Sequence, residues 1–76
     1  MVRAFVMVKT DSGRADGVVE SVRDLAAVRE AHVVAGGYDV VIETDADAVY
    51  DVLDISSTQI QELGDVTDTT TYIAMD

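Results

Sequence analysis

The sequence predicts an α+β fold in which two helices pack on one face of a four-stranded antiparallel sheet. Segments with strand-like and helix-like apolar patterns follow one another in the order β-α-β-β-α-β. A Gly-Gly pair at positions 36–37 separates the two middle strand segments, as in a hairpin. The chain has 76 residues, a length typical of one domain, so we assign residues 1–76 to a single domain.

The first half of the chain contains a strand, a helix and a second strand. Residues 2–9, VRAFVMVK, are rich in β-branched and aromatic side chains over the length of a strand. Asp11 or Ser12 then offers an oxygen that can cap a helix. Within residues 13–27, apolar residues recur at the spacing of one helical face, namely Val18, Val19, Val22, Leu25 and Ala26. Residues 28–35, VREAHVVA, return to strand-like alternation.

The second half continues with a strand, a helix and a strand. YDVVIET, residues 38–44, runs back from the Gly-Gly turn as the third strand. Asp45 or Asp47 is in position to cap the second helix. The apolar stripe of that helix consists of Val49, Val52, Leu53, Ser56, Ile60 and Leu63. Gly64 ends the helix, and VTDTTTYIAM, residues 66–75, supplies a Thr-rich fourth strand. This order is the split βαβ, or ferredoxin-like, arrangement, whose right-handed crossovers place both helices on one face of the sheet.

Apolar side chains occupy both faces of the predicted strands. On the first strand Val6 and Val8 point to one side, whereas Phe5 and Met7 point to the other. A half-solvated sheet normally alternates apolar with polar residues, and two helices on one side leave the other side uncovered. We therefore expect a second copy of the chain to cover the open face in a face-to-face or edge-joined homodimer; the alternative is a monomer that tolerates an apolar surface.

The composition argues against several classes of function. The net charge is −10, from 15 acidic and 5 basic residues; such a surface repels phosphate backbones, so no direct nucleic-acid binding is expected. The chain has no Cys and one His, which excludes disulfides and multi-histidine metal sites. Neither a membrane span nor a signal peptide is recognisable, so we expect a cytoplasmic protein with no membrane partner. Dense carboxylates repel one another unless salt screens them, which predicts a high-salt, haloarchaeal cytoplasm.

Two groups of side chains suggest chemistry, and each has a simpler interpretation. His32 lies two residues after Glu30 on the same side of the second strand and could act as a base, but a surface or interface position is simpler because no nucleophile is spaced to work with it. The second group consists of Asp45, Asp47, Asp51 and Asp54. This segment lacks the Gly and the terminal Glu of a calcium loop, so a hydrated helix face is simpler. We predict no catalytic residue, no metal site and no cofactor.

Threonine alternates along the last strand. Thr67, Thr69 and Thr71 project to one side, and Thr70 and Tyr72 project to the other. Threonine suits strands whatever its role. The row of hydroxyls is therefore explained equally well by β propensity and by a ligand or partner subunit that faces it.

The stretch EAHVVAGGYDVV resembles the effector-binding domain of the Lrp/AsnC family, also called the RAM domain. In that family a strand ends in Gly, two variable positions follow, and an Asp precedes an apolar strand; here these positions are Gly36, Gly37, Tyr38 and Asp39. The rest of the chain resembles the family in the same order, from AFVMVKT through VVESVRDLAAVREAHVVAG to a Gly-x-Val turn at residues 64–66 and a Thr-containing last strand.

The resemblance implies dimers that often assemble into rings of eight (octamers), with amino-acid effectors bound between subunits near the turn between the second and third strands. Carried over by position, the ligand-binding residues are Gly36, Gly37, Tyr38 and Asp39, with Thr69 and Thr71 as hydroxyl partners. Gly37 departs from the acidic or polar residue common in the family. Members typically carry an N-terminal helix-turn-helix domain that binds DNA, whereas this chain begins at the effector domain. We therefore expect a stand-alone form that joins full-length Lrp/AsnC regulators.

The implied site suits an amino acid. Asp39 can accept hydrogen bonds from an ammonium group, and backbone N–H groups and Thr hydroxyls can donate to a carboxylate. The negative net charge favours a neutral or basic amino acid over an acidic one. The leading hypothesis is a non-enzymatic amino-acid-sensing and oligomerisation module. A ligand-free structural module of the same fold, and a small dimeric enzyme that uses His32, are the alternatives.

Overall fold

The strands and helices follow one another in the predicted order. The computed structural model describes the backbone of residues 1–76 and every side chain except that of Ser57. The elements are β1 (Val2–Thr10), α1 (Ala15–Arg23), β2 (Val28–Val33), β3 (Val40–Ala46), α2 (Val49–Asp54), a π-helix (Ile55–Ile60) that continues α2, and β4 (Val66–Ile73). The strands form one sheet in the order β2-β3-β1-β4, in which every neighbouring pair is antiparallel. The ferredoxin-like prediction is therefore confirmed. Within the part of the chain described, no helix is long and apolar enough to cross a membrane.

Alternation along β1 decides which face of the sheet the helices cover. Ala4, Val6 and Val8 are fully buried, whereas Phe5 and Met7 on the opposite face are half-buried. The same core contains residues of both helical segments and of the neighbouring strands, namely Val18, Val19, Val22, Ala31, Val40, Ile42, Ile55 and Ile60. The helices therefore lie on the face of Ala4, Val6 and Val8, and the face of Phe5 and Met7 is left open.

The predicted cap of the first helix is wrong. α1 begins at Ala15, with Arg14 at the N-cap position and no hydrogen bond from a capping side chain. Asp11 and Ser12 belong instead to a turn in which the Asp11 carbonyl accepts a hydrogen bond from the Arg14 N–H at 3.0 Å. Gly13, the third residue of this turn, has a φ of 77°. A type II turn requires a positive φ at that position, and Gly adopts it without strain.

The predicted cap of the second helix is also wrong, because β3 (Val40–Ala46) begins and ends two residues later than the predicted strand at residues 38–44. Asp45 lies within β3, where its carboxylate contacts Arg29 Nη1 at 3.0 Å and Arg3 Nε at 3.5 Å. Asp47 does not cap α2 either, because the N-cap residue is Ala48 and no side chain makes a capping hydrogen bond there. Asp45 is therefore a sheet residue and not part of a hydrated helix face, whereas the other three carboxylates of that run are exposed.

The buried stripe of the second helical segment is rotated from the predicted one, and the helix widens after α2. The Gln61 N–H donates to the Ser56 carbonyl at 3.3 Å, five residues back, as in a π-helix. The buried residues of this segment are Val52, Ile55, Ser56 and Ile60. Val49 and Leu53, which the sequence assigned to the stripe, are 47% and 50% exposed. Part of the predicted apolar stripe therefore faces outward.

The open face of the sheet carries apolar residues beside a charged cluster. We call Phe5, Met7, Val41 and Tyr72 the open-face strip. Its members share a face because Met7 pairs with Val41, and Phe5 pairs with Tyr72, across neighbouring strands. The charged cluster consists of Arg3, Arg29, Glu43 and Asp45. The open face is therefore mixed, and its apolar part is narrower than the sequence suggested.

Candidate functional site

The connection between β2 and β3 is a six-residue loop, and not the two-residue Gly-Gly turn that the sequence predicts. Residues 34–39 form this loop, so Tyr38 and Asp39 do not belong to the third strand. Gly36 and Gly37 have no positive φ, which the tight two-residue hairpin turns require. The predicted site residues of this region therefore share one loop, which we call the 34–39 loop.

Asp39 ties the 34–39 loop to the end of β1. Its N–H donates to the Val8 carbonyl, and its carbonyl accepts from the Val34 N–H, both at 2.9 Å. One carboxylate oxygen accepts a hydrogen bond from the Thr10 N–H at 2.9 Å. Thr10 lies beyond the last residue pair of β1 and β3, so the carboxylate supplies the partner that this backbone N–H otherwise lacks. Asp39 therefore has a structural contact in addition to any contact with a ligand.

Tyr38 connects the loop to β4 across the end of β1. Its hydroxyl lies 2.7 Å from Thr70 Oγ1. Lys9 Nζ lies 5.6 Å from the centre of the Tyr38 ring, within the range of a cation–π contact. Tyr38, Thr70 and Lys9 thus come from three separate segments of the sequence and meet on the open face of the sheet.

The predicted hydroxyl partners lie on the other face. Thr69 and Thr71 pair with Val8 and Val6, whose side chains are buried under the helices. The Thr69 hydroxyl accepts a hydrogen bond from Gln61 Nε2 at 2.6 Å. The structure therefore brings Gly36, Gly37, Tyr38 and Asp39 together but places Thr69 and Thr71 across the sheet from the Tyr38 side chain.

Sequence reasoning missed two residues of this site, Thr70 and Lys9. The signal for Thr70 was the alternation of β4, which puts Thr70 on the side opposite Thr69 and Thr71. The contact itself could not be read from the sequence, because nothing there shows which side of β4 faces Tyr38. Lys9 is the only Lys of the chain, but its position over an aromatic ring depends on the path of the loop.

The tip of the loop is accessible. Gly36 and Gly37 are exposed, and a Cβ atom added to either would meet nothing within 4 Å. In the part of the chain that the structure describes, neither glycine N–H has an intramolecular partner. The loop therefore offers backbone donors at its tip, and a carboxylate, a phenol and an ammonium group at its base. A separate cleft of about 140 Å³ at the start of β4 is lined by Gln61, Val66, Thr67 and Asp68.

His32 lies in a different setting. Its Nε2 is 3.3 Å from a carboxylate oxygen of Glu30, and the two side chains are 59% and 61% exposed. A general base needs a fixed position against its substrate, and this exposed pair on β2 is not enclosed. Among the described residues, no group of three or more His, Asp or Glu side chains is arranged to hold a metal ion.

An exposed loop of mixed donors and acceptors, held on a rigid ferredoxin-like sandwich, is the arrangement of a small ligand-binding domain. Comparison with protein families identifies which family of ligand-binding domains the chain belongs to. The family model described as the Lrp/AsnC ligand binding domain matches residues 3–76, and the chain belongs to this family. The resemblance that the sequence motifs suggested is therefore confirmed.

Solved structures agree with this assignment. A hypothetical protein from Pyrococcus horikoshii is 30% identical with a TM-score of 0.91, and the match covers 100% of this chain and 92% of that one. A protein from Thermus thermophilus is 29% identical with a TM-score of 0.94, covering 100% and 95%. A transcriptional regulator from Neisseria meningitidis, solved as a complex with L-Met, shares the fold at 16% identity and a TM-score of 0.87; the match covers 99% of this chain and 50% of the regulator. A search of curated proteins found no match.

Proposed function

We propose that this chain is a non-enzymatic module that senses an amino acid at the 34–39 loop and transmits binding through its assembly state. The observation that carries the proposal is the composition of the loop: a carboxylate on Asp39, a hydroxyl on Tyr38, and glycine N–H groups without intramolecular partners among the described residues. An amino acid presents the complementary groups, an ammonium and a carboxylate. The family assignment supports the same class of function, because its members are regulatory ligand-binding domains.

Each end of an amino acid has a partner at this loop. The Asp39 carboxylate uses one oxygen for the Thr10 N–H, so its other oxygen would accept from the ligand ammonium as a charge-assisted hydrogen bond. The N–H groups of Gly36 and Gly37 would donate to the ligand carboxylate. The net charge of −10 opposes an acidic ligand and favours a neutral or basic one.

Hydroxyl groups on both faces of β4 extend the proposed site. Thr70 lies on the Tyr38 side and would complete a site on the open face. Thr69 and Thr71 lie on the helix-covered face. They are proposed as partners for a ligand that enters beside Gln61, which already contacts Thr69.

The open-face strip provides the proposed route to assembly. Tyr72 is 57% exposed, and Phe5, Met7 and Val41 beside it are half-buried. A second copy of the chain placed on this strip would remove apolar surface from water and form a homodimer. Further assembly into a ring of eight, or with full-length Lrp/AsnC regulators that carry DNA-binding helices, would couple the ligand to transcription. The L-Met complex of the Neisseria meningitidis regulator, which has the same fold, supports an amino acid as the class of effector.

Calorimetry with a panel of amino acids tests the sensor function. The panel covers neutral, basic and acidic amino acids at high and moderate salt, and the molecular mass is measured with and without each ligand. We expect heat of binding for at least one neutral or basic amino acid, together with a change in mass. If no amino acid gives heat of binding at either salt concentration, the sensor function is ruled out.

Two substitutions at Asp39 separate binding from folding. Asp39→Asn keeps an oxygen that can accept from the Thr10 N–H but loses the negative charge, so we expect a folded protein with at least ~10-fold weaker binding. Asp39→Ala also removes the Thr10 contact and is expected to lower the free energy of unfolding by about 1–2 kcal/mol. Asp24→Asn is the matched control, because it removes the same charge from an exposed residue at the end of α1. Equal affinity of Asp39→Asn and Asp24→Asn would place the ligand elsewhere.

A ligand-free structural module is the second candidate. The observation that favours it is the bond between the Asp39 carboxylate and Thr10, which explains an Asp at this position without a ligand. The same calorimetry distinguishes the two candidates. A chain that assembles through the open-face strip but binds no amino acid would be a structural module.

A further inference from the structure

An exposed apolar surface lies on α2, away from the 34–39 loop. Val49, Tyr50 and Leu53 are 47%, 80% and 50% exposed, and we call these three residues the α2 patch. Beside Tyr50 and Leu53 is a cavity of about 220 Å³, whose lining also includes Asp54 and Thr58. Tyrosine and apolar side chains grouped around a depression are typical of a site that receives a side chain of a protein partner.

The position of the buried stripe on α2 explains why this surface exists. Regular helical spacing would place Val49, Val52, Leu53 and Ser56 on one stripe. Instead Val52, Ile55 and Ser56 are buried at i, i+3 and i+4, together with Ile60 of the π-helix. Val49 and Leu53 are left at the margin of the buried face, and π-helical turns are often found at functional sites.

The charged residues close to the α2 patch in sequence are all acidic. Residues 30–76 contain 11 of the 15 acidic residues and no Lys or Arg, so all five basic residues lie within residues 3–29. Asp54 lines the cavity, and Asp47 and Asp51 are exposed nearby in sequence. An apolar surface bordered by carboxylates is complementary to a segment that combines apolar anchors with Lys or Arg.

A second copy of this chain does not fit that requirement. Arg3 and Arg29 are engaged by carboxylates of the charged cluster, and Arg23 donates to a backbone carbonyl of β2 at 2.8 Å. Lys9 lies over an aromatic ring. Of the five basic residues, Arg14 alone makes no side-chain hydrogen bond, ion pair or ring contact among the described residues. Two α2 patches facing each other would also bring like charges together, so the partner must be a different chain.

We propose that the α2 patch docks a basic, amphipathic segment of another protein. An apolar side chain of that segment would occupy the cavity beside Tyr50, and its Lys or Arg side chains would pair with Asp51 and Asp54. A helical partner would present its own apolar anchors to the patch at i, i+3 and i+4. This docking uses a different surface from the 34–39 loop and stands whether or not the loop binds an amino acid.

Labelled model peptides provide the probe. The test peptide has about 14 residues of Leu and Lys at the spacing of an amphipathic helix. One control peptide has Glu in place of Lys, and the other has Ser in place of Leu. Fluorescence anisotropy gives their affinities for the full chain at about 0.15 M and about 1 M KCl, between which the screening length falls from roughly 8 Å to 3 Å. We expect the test peptide to bind best, and to bind more weakly at the higher salt.

Paired protein variants locate the binding surface. The double variant Tyr50→Ser, Leu53→Ser removes the apolar contacts and should lower the affinity for the test peptide at least ~10-fold. Asp51→Asn with Asp54→Asn should weaken it more than Glu20→Gln with Asp24→Asn, which removes the same charge from α1. Thermal melts check that each variant is folded. If the apolar double variant does not fold, the two acidic pairs decide the result, because exposed carboxylates carry little of the packing.

Several results would overturn the proposal. Equal binding of the basic and acidic peptides would show a merely apolar surface, and equal effects of the two acidic pairs would show diffuse charge attraction. Unchanged binding to a folded Tyr50→Ser, Leu53→Ser variant would place the contact elsewhere. Tyr50-dependent association with phosphatidylglycerol vesicles, without binding of the basic peptide, would identify a lipid surface as the partner.

Discussion

Replacing Thr44 with Val tests what an unpaired hydroxyl costs in the core of this domain. Thr44 is fully buried on the helix-covered face of β3, where it pairs with Ala4 and Val28. Among the described side chains, its hydroxyl oxygen is buried without a hydrogen-bond partner. Valine has nearly the same shape and an apolar methyl group in place of the hydroxyl. We therefore expect Thr44→Val to stabilise the protein.

The size of the expected stabilisation follows from the buried hydroxyl alone. A buried polar group without a partner costs about 1–3 kcal/mol. A small loss from the tighter fit of a methyl group offsets part of the gain, so the expected increase in the free energy of unfolding is about 1–2 kcal/mol. For a domain of this size, each 1 kcal/mol raises the melting temperature by roughly 4–8 °C.

Chemical denaturation at fixed salt and fixed protein concentration measures the effect. We expect a higher midpoint with an unchanged dependence on denaturant, since the surface exposed on unfolding stays the same. Thr70→Val is the matched control, because the Thr70 hydroxyl has a partner in Tyr38 and its loss should destabilise by about 0.5–1.5 kcal/mol. A Thr44→Val protein less stable than the original by more than about 0.5 kcal/mol would mean that the hydroxyl is satisfied in solution, and would refute the reasoning.

Three further predictions follow from the contacts and the charge. Tyr38→Phe should lower the free energy of unfolding by about 0.5–1.5 kcal/mol; denaturation of the double variant with Thr70→Val should show a smaller loss than the sum of the two single losses. Gly37→Ala should be neutral or stabilising by up to about 1 kcal/mol, whereas Gly13→Ala should cost about 1–2 kcal/mol because Gly13 has a φ of 77°; equal melting temperatures for these two variants would contradict the turn geometry. Raising KCl from dilute buffer to the molar range should raise the melting temperature, since salt screens a net charge of −10; an unchanged value would argue against adaptation to high salt.

The order of the elements was predictable because each has its own short-range pattern. The run of β-branched and aromatic side chains in residues 2–9 identifies a strand without knowledge of its neighbours. The helical spacing of Val18, Val19 and Val22 does the same for α1, and all three are buried. These periodicities arise from backbone geometry, so they survive in a single sequence.

The ends of the elements were not predictable to the residue. The sequence extends the first helix towards residue 27, whereas α1 ends at Arg23 and a turn follows, in which the Leu25 N–H donates to the Val22 carbonyl. Asp45 has the composition of a helix cap, yet two arginines from other strands hold it within the sheet. Such choices depend on partners that are distant in sequence.

In the candidate site, too, some features were predictable from the sequence and others were not. Gly36, Gly37, Tyr38 and Asp39 could be proposed from the sequence because they are consecutive and match a family motif. The hydrogen bond from the Thr10 N–H to the Asp39 carboxylate could not be proposed, because the two residues are 29 positions apart.

The sequence by itself determined the family, the order of the elements and the acidic composition, because motifs, periodicity and charge are properties of neighbouring residues or of the whole chain. The tertiary structure decided the rest: which face of the sheet the helices cover, that Thr70 and not Thr69 or Thr71 meets Tyr38, and that Val49 and Leu53 face outward beside Tyr50. Each of these depends on how strands that are far apart in sequence pair, and on which side of a helix packs against them. Local pattern specifies which side chains share a face, but only packing specifies what that face meets.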